Sequence, residues 1–197
     1  MLKIRFRLKK IILFSLLITY FASFSQEAKK IKIIYAGVST IDEEKYPGAT
    51  ILTKDADRLV EIYHDGAILT AKRVILYKKR NFAKAFGDVL IKQGDTITQS
   101  SNYVDYDGNT KKALSWGNVV LKDPKMTLTT DSLNFDRQNQ LLFYKYHAII
   151  KDETNILKSK IGNYFLNEKK FTATTRVTVT NPEHVLESDH LDYYTDS

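Results

Sequence analysis

The residues of this chain that could take part in chemistry are four histidines, a set of recurring aspartates, and scattered lysines and arginines. His64, His147, His184 and His190 fall far apart, except for the last two, which lack the spacing and companions of a metal site. Asp105, Asp107, Asp131, Asp136 and Asp152 sit beside turn residues, where an aspartate serves to satisfy nearby backbone donors. A catalytic carboxylate pair would have to be assembled across successive segments, as in β-helical polysaccharide enzymes. The acids recur alike, however, and none stands out as an active site would. No Gly-x-Ser-x-Gly elbow, phosphate loop or His-Glu metal motif occurs. The chain reads as a non-enzyme with no catalytic residue, metal or cofactor.

The elements that must hold these residues repeat about every 29 residues from Ile68 onward. Phe86-Gly87-Asp88-Val89-Leu90-Ile91-Lys92 returns as Trp116-Gly117-Asn118-Val119-Val120-Leu121-Lys122. Looser copies follow at Tyr146-His147-Ala148-Ile149-Ile150-Lys151 and at Arg176-Val177-Thr178-Val179-Thr180. Each copy precedes a second run: Tyr103–Tyr106, Ser132–Phe135, Ile161–Tyr164 and His190–Tyr193. Self-similarity at this period means one supersecondary unit stacked on itself, each unit needing its neighbours to bury an apolar face.

Alternation and an abundance of Thr, Val, Ile, Tyr and Phe make these runs strands. Val89 and Ile91 share one face with Gly87, as Val119 and Leu121 do with Gly117. Extended to the other runs, the inward stripe is Val89, Ile91, Val119, Leu121, Leu133, Phe135, Ile149 and Val177. Between Met126 and Phe135 the apolar residues occupy even positions first and odd positions afterwards. One face can bury both sets only through a bulge or bend near Asp131-Ser132. Pro124 and Pro182, two periods apart, mark corners.

Lys3, Arg5, Arg7, Lys9 and Lys10 precede an apolar run from Ile11 to Ile18, and Ser23-Phe24-Ser25 supplies small residues for cleavage. Residues 1–25 therefore read as a cleaved signal peptide, too short in its apolar part for a membrane span. The chain holds 30 Lys+Arg against 23 Asp+Glu, a net charge of +7. Removing five basic residues with the signal leaves 25 against 23, or +2, so the basicity is no argument for nucleic acid. With no cysteine, an exported fold must rest on its core alone. The organisation expected is signal peptide 1–25, an N-terminal strand and loop over 26–48, and a repeat domain over 49–197. Its last run has no return strand, which fits an open edge or a truncated series.

Phe86-Gly87-Asp88-Val89-Leu90-Ile91 and Leu128-Thr129-Thr130-Asp131-Ser132-Leu133-Asn134-Phe135-Asp136 resemble the repeats of the OstA-like (organic solvent tolerance) family. The likeness is cleanest at Gly117-Asn118-Val119 with Leu128-Thr129-Thr130-Asp131. It loosens at His147-Ala148-Ile149 and Thr175-Arg176-Val177, where the glycine is missing. The resemblance spans residues 49 to 197 and implies an all-β fold, a β-jellyroll with an apolar groove that holds lipopolysaccharide acyl chains.

On that resemblance the protein is a periplasmic module of lipopolysaccharide transport and outer-membrane assembly. Its partners would be lipopolysaccharide or a related lipid, other OstA-like modules paired through edge strands, and the outer-membrane translocon. The inward stripe becomes the lipid contact, although packing alone also explains each residue in it. Trp116 and tyrosines 103, 106, 144, 146 and 164 could rim the groove. Lys72, Arg73, Lys78, Lys79, Arg80, Lys111, Lys112 and Lys158 could meet phosphates, or serve only as a solvated edge. The alternative is a structural or adhesive β-solenoid with a closed core.

Overall fold

The computed structural model describes residues 29–194; the expected signal peptide lies outside them. The described residues form one antiparallel sheet of 16 strands and a single short 3-10 turn at Lys78–Arg80. The strands are β1 (Lys32–Tyr35), β2 (Val38–Thr40), β3 (Thr50–Thr53), β4 (Val60–His64), β5 (Ala67–Ala71), β6 (Arg73–Tyr77), β7 (Phe82–Gln93) and β8 (Ile97–Asp107). There follow β9 (Lys112–Lys122), β10 (Thr127–Asp136), β11 (Leu141–Tyr144), β12 (Ala148–Lys151), β13 (Ile156–Ser159), β14 (Ile161–Phe165), β15 (Lys170–Thr180) and β16 (Val185–Tyr194).

The sheet is folded lengthwise into a V. Every long strand crosses from one wall to the other, and pairs of short strands do the same in two pieces. The first wall runs β1-β4-β5, the C-terminal half of β7, the N-terminal half of β8, and on through β9, β10, β12, β13, β15 and β16. The second wall runs β2-β3-β6 and the other halves of β7 to β10, then β11, β14, β15 and β16. Every strand pairing is antiparallel, so the repeat builds a roll and not the coil of a solenoid.

The fold line is a row of bulges. Ladder registers jump between Phe86 and Val89, Ser100 and Tyr103, Thr130 and Ser132, and Thr174 and Val177. The bend expected near Asp131-Ser132 is one member of this row. On β7 and β9 two left-handed residues are inserted, Gly87 (φ 74) with Asp88 (φ 47) and Gly117 (φ 77) with Asn118 (φ 54). Two extra residues keep the inward parity, so Ala113, Ser115, Val119 and Leu121 all face in. On β8 and β10 one extra residue flips it, from Leu128 and Thr130 to Leu133 and Phe135.

Where the glycine is missing the corner survives. His147 (φ 47), Thr175 (φ 66) and Arg176 (φ 55) take the same left-handed conformation without it. That conformation costs about 1–2 kcal/mol for an ordinary residue, and Thr175 is β-branched as well. Burying Phe171 and Val177 on either side stabilises by roughly 1.5–3 kcal/mol each, which exceeds the cost.

Two further devices hold the line. Backbone bonds cross it from Gly37 N to Thr53 O, Lys54 N to Lys72 O, Lys72 N to Gly87 O, His147 N to Lys160 O and Lys160 N to Thr175 O. Ser101, Thr130, Ser159 and Ser188 are each 29 residues apart, and each hydroxyl donates to the carbonyl two residues on, at 3.2, 3.3, 3.2 and 2.6 Å. A hydroxyl at this place satisfies an acceptor that the bulge removes from the ladder.

Gly117 is expected to tolerate alanine poorly, because its φ is 77° and a Cβ there would come within 3.0 Å of Asn102. Gly117→Ala should cost about 1–2 kcal/mol in urea unfolding. Thr175→Gly, at the equivalent position, should stabilise by about 0.5–1 kcal/mol in the same measurement.

Candidate functional site

The inner faces of the two walls form the candidate ligand site. One row on the first wall reads Ile62, Leu69, Ile91, Gln99, Leu121, Leu128, Ile150 and Leu157. The facing row on the second reads Leu76, Ala83, Tyr106, Ala113, Phe135, Leu142, Tyr164, Phe171 and Tyr193. Large side chains of one strand lie beside alanines of the next through much of this row, which lets the walls close. Leu121, Leu133 and Phe171 are 0% exposed and Phe135 is 2% exposed. Between the walls, Ile62, Leu69, Ile91, Ala113 and Phe135 line a void of only about 20 Å³, room for one water. The open groove implied by the resemblance is shut.

What shuts it is a lace of polar side chains along the mouth of the V. Tyr106 of the second wall donates its hydroxyl to His64 Nδ1 of the first, at 2.6 Å. Tyr164 donates to Asp123 at 2.9 Å, and Tyr193 to Asp152. The tyrosines are spaced by multiples of 29 residues, and Asp123 and Asp152 are 29 apart. Both aspartates also cap their own turns: Asp123 Oδ1 accepts from Lys125 N and Met126 N, and Asp152 Oδ1 from Thr154 N and Asn155 N. Burial raises the Tyr193 hydroxyl, and its bond to Asp152 adds to this, bringing it to about 12. Burial pushes the Asp152 carboxyl up, but the bonds from Tyr193, Asn155 and Thr154 outweigh it and hold it below its ordinary value.

The tightest part of the lace centres on Arg137, which is 9% exposed. Its Nε donates to Gln93 Oε1 at 2.8 Å, one Nη to the Tyr106 hydroxyl at 2.8 Å and to His64 O at 3.3 Å, and the other to Asp65 O at 2.7 Å. Tyr106 therefore accepts from Arg137 and donates to His64, whose Nε2–H donates to Lys29 O at 2.7 Å. That chain of bonds requires a neutral imidazole. Burial lowers the His64 pKa, Arg137 and Lys111 lower it further, and the Lys29 carbonyl and Asp65 only partly oppose them. Lys111 and Lys29 hold the Asp65 carboxyl far below the usual carboxylate range.

A family model described as OstA-like protein matches residues 28–189. The chain belongs to the OstA-like family. Among solved structures, the OstA-like chain is similar to LptH from Pseudomonas aeruginosa, described as the LptA-homologous periplasmic component of the lipopolysaccharide transport device. The TM-score is 0.54 at 16% identity, covering 58% of this chain and 93% of that one, so the likeness is one of fold. No curated protein matches the sequence.

The OstA-like roll places most of the expected stripe where the sequence put it. Val89, Ile91, Val119, Leu121, Leu133, Phe135 and Val177 are all buried. Ile149 is not among them. It lies across from Thr129 and Lys158 on the outer face, and Ala148 and Ile150 point inward. The reason is register: left-handed His147 stands 29 residues after Asn118 and Tyr146 takes the place of Gly117, so Ala148 and Ile150, not Ile149, match Val119 and Leu121. Matching Lys151 to Lys122 reveals the offset.

Of the candidate rim aromatics, only Tyr106 and Tyr164 lie along the mouth. Tyr103 stacks on Trp116 on the outer face, beside Phe86 and the Arg73 guanidinium. Tyr144 is buried against Ser159, and Tyr146 is exposed beside the fold line. The basic residues are dispersed, Lys72 to Asp88, Lys111 to Asp65 and Lys112 to Asp136. Asp105 pairs with Lys84 in mid-strand, and Asp131 is exposed at its bulge. Arg137 and His64, the centre of the lace, carry no local sequence signal.

Because His64 is held below its ordinary 6.5 in the fold, the unfolded chain takes up this proton first as pH falls. Its contribution to stability is expected to be full above about pH 6.5 and lost as pH drops through the folded value. Urea midpoints between pH 7.5 and 5 should show this decline, and His64→Gln should flatten it.

Proposed function

We propose that this OstA-like chain is a periplasmic module of lipopolysaccharide transport that takes acyl chains between its two walls, with no reaction catalysed. The observation that supports it most is the apolar lining: its two facing rows pass from strand to strand with no charged residue in them, and Arg137 borders them only at the mouth. Gln99, bonded to Ser115, is its main polar member. Acyl chains can occupy that lining only if the walls part, since burial is now nearly complete. The row of bulges on one side and side-chain clasps on the other make the mouth the side that yields.

Its ends suit end-to-end joining of modules and docking to an outer-membrane translocon. At one end Ile34 of β1 is 51% and Val38 of β2 53% exposed; at the other Val185 and Leu186 of β16 are 64% and 47% exposed. Leu186 continues the inner row of the first wall. Terminal strands of this kind offer free backbone donors and acceptors to a neighbouring sheet. Among the described residues no helix is long and apolar enough to cross a membrane. The packed interior favours a second reading, a structural module whose walls never separate.

Photo-crosslinking to purified lipopolysaccharide decides between them, with the probe at Leu121 or Phe135 facing in and at Val120 facing out. Crosslinks from the first two and none from Val120 are expected. Their absence at both inward positions would leave the structural module.

A further inference from the structure

One rung of the lace breaks its own pattern. At three rungs a second-wall phenol meets an acceptor on the first wall: Tyr106 with His64, Tyr164 with Asp123, and Tyr193 with Asp152. The ladder places Gln93 and Phe135 at the corresponding positions of the remaining rung. Both halves of the clasp are changed together. The acceptor is an amide, and the ring has no hydroxyl to give.

Arg137 spans this rung instead, and each of its four bonds goes to a neutral acceptor. The neighbouring carboxylate, Asp65, is already engaged by Lys29 and Lys111. A buried guanidinium with neutral partners gains by meeting an anion, because charge-assisted bonds are shorter and stronger. The void between the walls opens against this same group and is lined by Phe135, Ile91 and Leu69.

Resting on the acyl-chain reading above, we propose that the mouth opens at the Gln93–Phe135 rung. There Arg137 receives the anionic head, phosphate or carboxylate, of an acyl amphiphile whose chain lies on Phe135 and Ile91. The head replaces Gln93 Oε1 as acceptor for Arg137 Nε. Gln93 keeps its bond across the mouth to Gln140, 3.2 Å away, or swings clear with it. The phenol clasps on either side hold the walls in register while this rung parts.

The test is calorimetric titration of the mature chain with dodecyl phosphate, dodecanoate and dodecanol, each below its micellar concentration. The two anions should bind roughly tenfold or more tightly than the alcohol, and their relative affinities tell a phosphate head from a carboxylate. Arg137→Met should abolish the preference for anions. The double change Gln93→Asp with Phe135→Tyr rebuilds the clasp and gives Arg137 a carboxylate. It should weaken anion binding roughly tenfold or more while leaving the unfolding midpoint the same or higher. Anion preference that survives both variants overturns the portal and leaves the acyl-chain reading standing. Failure of all three amphiphiles to bind any form removes that reading and the portal with it.

Discussion

Everything in this molecule depends on the chain turning the same corner each time it passes one line. A sheet that crossed the line flat would expose one face of every strand to water, and among the described residues no other layer covers it. Bending at a common row lets the sheet cover itself. The price of the bend is a set of left-handed residues and interrupted ladder bonds. Glycine reduces it at Gly87 and Gly117, and seryl and threonyl hydroxyls make good the lost bonds on alternate strands. Where the sequence supplies threonine, arginine or histidine instead, burial on both sides of the corner still wins.

The two long sides of the roll are consequently unlike in kind. Along the fold line backbone donors meet backbone acceptors, bonds that any sequence can make and that break only with the sheet. Along the mouth the contacts belong to side chains, with donors mainly on the second wall and acceptors mainly on the first. Each such contact contributes on the order of 1 kcal/mol net, since water competes for the same groups. The apolar rows behind them contribute more, yet lose most of that only if the space they vacate fills with water. An acyl chain entering between the walls replaces one apolar contact with another. The side with weak, separable contacts is the side through which such an exchange is least costly.

Much of this was legible in the sequence because strand parity and period are written into neighbouring residues. The all-β class, the 29-residue unit, the bend at Asp131 and seven of the eight inward residues follow from alternation alone. Ile149 was misplaced because Tyr146 stands where the glycine would mark the corner, so an alignment on the apolar run slides by one position and reverses the face. The lace could not be seen at all. Its bonds join residues 31 or more positions apart, and tyrosine beside a turn reads as ordinary strand composition. Arg137 is harder still, since a single arginine after Asp136 looks like any solvated turn residue until both walls are in place. Closure itself depends on how wall angle and side-chain volume match, which no periodicity records.

The corner spacing also governs what kinds of heritable change the chain can accept. Loss or gain of one residue at the fold line would reverse the facing of the rest of that strand, turning apolar rows to water and charged ones inward. Duplication of a whole 29-residue segment would disturb nothing, because the new strands bring their own corner, hydroxyl and turn. Each such duplication lengthens the trough by two sheet spacings, about 9.5 Å. Capacity can therefore grow in fixed steps while the cross-section stays constant, and length becomes a property counted in copies.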